Sequence, residues 1–215
     1  MAELLETRCS PLVKWVGGKR QLEVPITAKI NTVFDSETGT YFEPFFGGGA
    51  IYLALQPQRA LASDLNAGLV NLYSEVSRNP DSVAAKLREI EAAYNILSTD
   101  EQQAFFYRER DIFNESDAAG SFPRRHGSDG AARFLFLNKA GFNGMYRENA
   151  QGKYNIPFGK REAIKLFDEE NLNAFSKVLD GLDLRHQEYQ LTVETALPGD
   201  LVYFDPPYAP LSRTS

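Results

Sequence analysis

Residues 40–55, TYFEPFFGGGAIYLAL, decide the fold of this chain of 215 residues. The run near Thr40–Glu43 predicts a β-strand, the glycines at 47–49 predict a tight turn, and the apolar residues from Ala50 predict a helix. Glycine lets a backbone approach a ligand closely, and a helix N-terminus presents N–H groups to it. The pattern is typical of a site for a nucleotide-like ligand, with a turn that only packs helix on strand as the alternative.

The flanking segments continue the alternation of strands and helices. Residues 59–66, RALASDLN, predict a strand that ends at Asp64, and helices are predicted around residues 66–76, 80–97 and 167–179. Strands are predicted at 182–191 and at 201–204, and residues 116–130 read as a polar loop. This order favours an α/β fold. Residues 70–165 are mostly helix and loop, and we interpret them as a domain inserted between 1–69 and 166–215.

Composition excludes several classes of protein. No apolar run is long enough to span a membrane, and the N-terminus lacks the pattern of a signal peptide. The single cysteine excludes an internal disulfide and is typical of a reducing cytoplasm. Two distant histidines give no metal-ligand spacing, so we expect no metal. The net charge of -6 argues against a nucleic-acid coat protein but still permits a local basic cleft.

The residues in and near the glycine turn disfavour several classes of ligand. A P-loop is disfavoured because the nearest candidate lacks its first glycine and its Ser or Thr, and the spacing of FFGGGAIYL differs from the dinucleotide fingerprint. Asp64, at the end of the next predicted strand, could accept hydrogen bonds from ribose hydroxyls or could simply cap the following helix. Adenosine with a non-phosphate tail remains, and S-adenosylmethionine is the obvious case.

Six segments together resemble one family. They occur in this order: LVKWVGGKRQL at 12–22, FEPFFGGGAIYLAL at 42–55, ASDLN at 62–66, FLNKAGFNGMYREN at 136–149, YNIPFGK at 154–160 and DPPYAPLS at 205–212. The set closely resembles the Dam-type DNA adenine-N6 methyltransferases over nearly the whole chain. The resemblance implies a Rossmann-like methyltransferase sheet with an inserted, mainly helical target-recognition domain.

The resemblance assigns catalysis to Asp205, Pro206, Pro207 and Tyr208. The exocyclic amine of adenine is a poor nucleophile because its lone pair is delocalised. The Asp205 carboxylate and the Pro206 carbonyl would accept its two N–H bonds and favour a more tetrahedral nitrogen. Consecutive prolines fix the direction of that carbonyl, and Tyr208 would stack on the flipped base. A proline turn at the end of a strand is the alternative.

The resemblance also assigns cofactor and DNA contacts. Trp15 would pack near the adenosine and Lys19 near the carboxylate tail, with a core tryptophan and a surface lysine as the alternatives. Asp205 would also help to place the cofactor. The loop 43–49 would line the methionine end and Asp64 the ribose; the named cofactor candidates there are Glu43, Pro44, Phe45, Gly47, Gly49 and Asp64. The DNA candidates, each of which could instead be a solvated surface residue, are Lys14, Arg124, Lys139, Asn143, Met145, Arg147 and Lys160, and Arg125 could grip phosphate together with Arg124.

The expected function is transfer of a methyl group from S-adenosylmethionine to a flipped adenine in duplex DNA, with GATC as the site implied by the resemblance. A restriction endonuclease partner is possible, and a bacterial or phage protein of the cytoplasm is expected. Family members continue beyond DPPY, so a fragment is the favoured interpretation of the end at Ser215, and the strand 201–204 is expected at a sheet edge. The alternatives are a truncated, non-catalytic DNA-binding remnant and a methyltransferase that acts on RNA or a protein amide.

Overall fold

The structure is a computed structural model that describes residues 9–207. It is an α/β fold built on four parallel strands, which confirms the predicted fold class. The strands are β1 Tyr41–Glu43, β2 Ala60–Asp64, β3 Leu182–His186 and β4 Leu201–Val202. Their order in the sheet is β3-β2-β1-β4. Tyr208 lies outside the described residues.

The described part of the chain contains eight α-helices. They are α1 Glu23–Ile30, α2 Ala50–Leu55, α3 Ala67–Arg78, α4 Pro80–Asn95, α5 Thr99–Phe113, α6 Gly127–Ala140, α7 Glu169–Leu179 and α8 Tyr189–Val193. Three short 3₁₀ helices cover Arg20–Leu22, Pro123–Arg125 and Phe142–Gly144. Side chains fix several helix starts: Asn66 accepts from the Leu69 N–H, Asp168 accepts from the Asn171 N–H, and Ser98 forms a capping box with Glu101.

The centre of the sheet is buried, and the buried residues of β1 and β2 do not alternate with exposed ones. All three residues of β1 and the first four of β2 are buried, as expected for parallel strands covered on both faces. β4 pairs with β1 and is the last strand of the order within residues 9–207. It is shorter than the predicted strand 201–204, since pairing with β1 ends at Val202 and Phe204 is half exposed.

Two other predicted elements differ from the structure. The predicted strand 182–191 is wrong beyond His186, because the chain turns and forms α8, whose buried Thr192 donates a hydrogen bond to Ser63 on β2. The predicted loop 116–130 ends early, since α6 begins at Gly127. Helix α1 had no counterpart among the predicted elements.

One continuous cluster of buried side chains joins the sheet to the helices of the middle segment. Aromatic rings carry much of it: Phe46 meets Tyr73 edge to face with centroids 5.5 Å apart, and Tyr73 stacks on Phe175. Helix α3 runs without a break across residue 70, where the sequence analysis drew a domain boundary. The division into 1–69 with 166–215 and 70–165 stays a prediction.

Candidate active site and DNA interface

A cavity of about 490 Å³ opens at the carboxyl ends of the strands. β1 lies between β2 and β4, so the chain builds the sheet outward from β1 on one side and then crosses to the other. Such a switch point leaves a crevice in which open α/β sheets bind ligands. The described residues that were predicted to bind cofactor or to catalyse all line this cavity: Trp15, Lys19, Glu43, Pro44, Phe45, Gly47, Gly49, Asp64, Asp205, Pro206 and Pro207. We call it the acidic cavity, because Glu43, Asp64 and Asp205 face one cation, Lys19.

The glycine turn between β1 and α2 requires glycine. Gly47 and Gly49 have φ values of 50° and 67°, in the left-handed region that side chains disfavour. A Cβ at Gly47 would lie 2.8 Å from Cδ1 of Trp15. The Tyr73 hydroxyl donates to the Gly47 carbonyl at 3.1 Å and fixes the turn from below. The turn is therefore held in place while its surface stays open to the cavity.

Asp64 ties the glycine turn to the end of β2. One carboxylate oxygen accepts from the Gly47 N–H at 2.9 Å and the other from the Asn66 N–H at 2.8 Å. Burial raises the pKa of Asp64, and these hydrogen bonds partly oppose the rise. The cap of α3 is Asn66, so the alternative role of Asp64 as the helix cap is not the one observed.

Glu43 is a buried carboxyl at the end of β1, only 3% exposed. The Tyr41 hydroxyl donates to it at 2.8 Å. Burial raises the pKa of Glu43 to about 8; the hydrogen bond from Tyr41 opposes this rise and the negative charge of Asp205 adds to it. A cation beside this carboxyl would oppose the rise, because it would stabilise the ionised form.

Asp205 follows β4 and faces the N-terminal segment. Its carboxylate forms an ion pair with Lys19, with Nζ and Oδ2 2.6 Å apart and both side chains largely buried. Lys19 also donates to the Gly17 carbonyl at 2.8 Å. Lys19 was predicted to lie near the cofactor, and its contact with Asp205 was not predicted.

Three aromatic rings form an apolar group beside this cavity. Phe45 stacks on Tyr189 with centroids 5.4 Å apart, and Phe204 lies 6.2 Å from Phe45 and 6.3 Å from Tyr189. Tyr189 lines the cavity but was missed, because it lies in α8 where a strand was predicted. No local signal in the sequence identified it, because the predicted strand continued past Tyr189 to residue 191.

A second cavity, of about 620 Å³, adjoins the first. Five cationic residues line it: Lys14, Arg20, Lys139, Arg161 and Lys165. Among the described residues that line it, none is acidic, and we call it the basic cavity. The two cavities share the lining residues Trp15, Val16, Gly18, Gly48 and Ala50. Two sites of opposite charge thus meet at Trp15.

The predicted DNA contacts divide between this cavity and the outer surface. Lys14, Lys139, Asn143 and Met145 line the basic cavity. Burial lowers the pKa of Lys139, and an anion beside it would oppose that shift. The cations Arg20, Arg161 and Lys165 were missed, although Arg20 lies inside the segment 12–22 and the other two follow the segment 154–160 within five positions.

Three predicted DNA contacts lie outside the lining of the basic cavity. Arg147 is exposed and its Nε donates to Asn155 at 2.9 Å, and Lys160 is exposed with a φ of 55°. Arg124 is exposed and pairs with Glu115 at 3.2 Å. All three can reach a partner that lies on the surface, and none is held in a pocket.

Arg125 is a correction, because it is buried and only 5% exposed. Its guanidinium pairs with Glu148 at 2.7 Å, donates to the carbonyls of Phe113 and Gly152, and lies 3.9 Å from the ring centroid of Phe122. Because its N–H groups already donate to acceptors inside the protein, the guanidinium of Arg125 is not available to bind a phosphate. The prediction that it grips DNA together with Arg124 is wrong.

Residues 141–160, which we call loop 141–160, form a hairpin-like segment after α6. Two isolated antiparallel bridges hold it, Gly141 with Phe158 and Glu148 with Tyr154. The Tyr146 ring stacks on Trp15 with centroids 5.6 Å apart, and its hydroxyl donates to Glu148 at 2.6 Å. The loop that was predicted to read DNA therefore touches Trp15, one of the residues shared by the two cavities.

No helix in the described part of the chain is long and apolar enough to cross a membrane. Within residues 9–207 there is also no group of three or more His, Cys, Asp or Glu side chains that could hold a metal ion.

Comparison with known proteins places these motifs in one family. The family model described as "D12 class N6 adenine-specific DNA methyltransferase" matches residues 15–215. The chain is 33% identical to the Type II methyltransferase M.MjaIII of Methanocaldococcus jannaschii over 95% of its own length and 71% of the relative. It is also 33% identical to the Type II methyltransferase M1.LlaDCHI of Lactococcus lactis, covering 95% of the chain and 68% of the relative. For the DNA adenine methylase of Haemophilus influenzae the identity is 33%, covering 94% of the chain and 65% of the relative.

Proposed function

The chain belongs to the D12 class of N6 adenine-specific DNA methyltransferases, and we propose that it binds S-adenosylmethionine in the acidic cavity and duplex DNA along the basic cavity. The observation that carries this proposal is the meeting of Asp205 and the glycine turn in one cavity. The carboxylate would hold the target amine and the turn would hold the methyl donor. The two must be neighbours, because the methyl group passes directly from the donor to the amine.

The residues of the acidic cavity suit this cofactor. S-adenosylmethionine supplies a methyl group on a positively charged sulfur. The buried Glu43 can hold a cationic amino group, and Asp64 keeps lone pairs that can accept from ribose hydroxyls. Phe45 and Tyr189, stacked on each other, provide an apolar wall for the cofactor. Trp15 would pack against the same ligand.

Asp205 and Pro206 would hold the target amine. The Asp205 carboxylate accepts one N–H bond and the Pro206 carbonyl the other, which directs the nitrogen lone pair toward the methyl donor. Pro207 fixes the backbone at this point. Lys19, bonded to Asp205, keeps that carboxylate oriented toward the cavity. Tyr208 keeps its predicted role of stacking on the flipped base.

The basic cavity supplies the electrostatic part of DNA binding. Five cations without an acid in the lining attract phosphate and account for binding despite a net charge of -6. Loop 141–160 would recognise the bases through Asn143, Met145 and Arg147. Lys14, in the N-terminal segment, would contribute to the same recognition. GATC is the proposed site. Residues 70–165 are the proposed target-recognition domain.

We also propose a restriction endonuclease partner for this chain, and the names of the two relatives called Type II methyltransferases support it. A cytoplasmic location stays a prediction. The chain covers about two thirds of its relatives' length. That this chain alone catalyses methyl transfer is therefore part of the proposal.

The test is transfer of a labelled methyl group to a random-sequence DNA duplex, followed by mapping of N6-methyladenine. We expect label on adenine in DNA, at GATC, and none on RNA or protein supplied in parallel. Label on RNA or on a protein amide would contradict the DNA assignment. DNA binding without any transfer would favour a non-catalytic remnant.

A further inference from the structure

Asn138 joins the two segments that carry the cofactor and DNA candidates. It lies near the end of α6 and is completely buried. Its Oδ1 accepts from the Lys14 N–H at 3.0 Å, and its Nδ2 donates to the Lys14 carbonyl at 3.0 Å and to the Gly144 carbonyl at 2.9 Å. We call these three hydrogen bonds the Asn138 bridge.

The bridge is specific for an asparagine side chain. Both amide hydrogens and the amide oxygen are already used, so Asn138 has no donor left for DNA. An aspartate could still accept from Lys14 but could not donate to either carbonyl, and a leucine could do neither. A buried carbonyl that loses its donor is costly, so this position is tightly constrained.

Packing around the bridge extends the connection to the acidic cavity. A Cβ at Gly144 would lie 2.7 Å from Cδ of Lys14, so loop 141–160 and the N-terminal segment are in close contact. Trp15 packs against Tyr146 of the loop and against Phe134, which lies four positions before Asn138 on α6, and these two rings also stack on each other with centroids 4.9 Å apart. Trp15 in turn lines the acidic cavity against the glycine turn. A shift of the loop would therefore move a wall of the cofactor site.

We infer that Asn138 is a positioning residue that couples cofactor binding to DNA binding, an inference that rests on the proposed function of the two cavities. DNA that orders loop 141–160 also fixes Lys14 and Trp15 through the bridge, so the cofactor meets a preorganised wall. The affinity for the cofactor is then higher when DNA is bound, and by linkage the reverse holds as well.

The test measures the dissociation constant of S-adenosylhomocysteine, which lacks the transferable methyl group, with and without saturating duplex DNA. For the parent chain we expect binding to tighten by about 5-fold or more when DNA is present. In Asn138→Asp this ratio should fall toward 1. The matched control is Asn171→Asp, since Asn171 makes the same pair of bonds to the backbone of Ser10 in the same N-terminal segment but lies on α7. Its ratio should equal that of the parent.

Thermal denaturation detects a general loss of stability in the variant. Such a loss would weaken the binding of both ligands but would leave the ratio of the two dissociation constants unchanged. If Asn138→Asp does not fold, Tyr146→Leu breaks the stack on Trp15 and should lower the ratio in the same way. A ratio of 1 in a parent that binds both ligands, or an unchanged ratio in the folded variant, overturns the coupling. A parent that binds neither ligand overturns the proposed function instead.

Discussion

Glu43 shows how one residue can be placed correctly while its chemistry stays hidden in the sequence. The motif puts it at the end of a strand, but only the fold buries it beside Tyr41 and near Asp205. Burial raises its pKa from 4.5 to about 8. Between these values the folded protein keeps a proton that the unfolded chain releases. The contribution of Glu43 to stability is therefore present below pH 4.5 and is lost as pH rises through about 8.

We predict that Glu43→Gln reduces this pH dependence. Urea unfolding at several pH values between 5 and 9 measures the free energy of unfolding of both chains. The parent should lose stability relative to the variant as pH increases across this window. A constant difference at all pH values would contradict the raised pKa of Glu43.

Gly47→Ala is predicted to damage the cofactor site. The added Cβ would meet Trp15 at 2.8 Å, in a backbone conformation with a φ of 50°. Cofactor binding measured by calorimetry should weaken at least tenfold, because the turn and Trp15 must separate. Gly120→Ala is the matched control: its φ is 80°, but nothing lies within 4 Å of the new Cβ. It should cost about 1 kcal/mol of stability and leave cofactor affinity unchanged.

At the scale of elements, the neighbouring residues Arg124 and Arg125 have opposite roles. Both are charged and lie in a polar stretch, so the sequence does not distinguish them. The 3₁₀ helix Pro123–Arg125 turns Arg125 inward onto Phe113 and Glu148 and leaves Arg124 in solvent. Arg125 thus attaches loop 141–160 to the end of α5.

Arg125→Met should lower the free energy of unfolding by about 2 kcal/mol or more, since carbonyl and carboxylate groups lose their donor. Arg124→Met should change it by less than about 0.5 kcal/mol. Chemical denaturation of the two variants gives the comparison. Equal effects would contradict the buried position of Arg125.

Elements with strong periodicity or clear turn signals could be predicted, and short ones could not. The strand, glycine turn and helix of residues 41–55 lie where the pattern puts them, as does the helix Pro80–Asn95. Helix α8 has only five residues and is held by contacts of Thr192 with β2 that the local sequence does not encode. As a result Tyr189, a residue of the cavity wall, was missed.

At the scale of the whole molecule, the fold places acidic and basic side chains in different cavities, whereas the net charge gives only their sum. Three acids face one cavity and five cations line the next, in a chain with a net charge of -6. The meeting of Asp205 with the cofactor loop could be predicted from the resemblance, and the structure brings them together because β1 and β4 are neighbours in the parallel sheet. Arg161 and Lys165 could not be assigned, because their approach to Lys14 depends on the path of the chain after loop 141–160.

Arg161→Gln combined with Lys165→Gln is predicted to weaken DNA binding and to reduce its salt dependence. Each lost phosphate contact lowers the slope of log affinity against log salt by about 0.9, so the double variant should lose up to about 2. Fluorescence anisotropy with a labelled duplex at several salt concentrations measures the slope. Lys177→Gln, on the exposed face of α7, should leave it unchanged. An unaltered slope in the double variant would exclude the basic cavity from the DNA path.

The most direct measurement is the single-turnover rate of methyl transfer by Asp205→Ala at saturating cofactor and DNA. We expect a loss of about 100-fold or more, because the target amine loses its carboxylate acceptor, and we expect duplex affinity within a few-fold of the parent. Asp183→Asn, on exposed β3, should transfer at the parent rate. Transfer by Asp205→Ala at the parent rate would contradict the account.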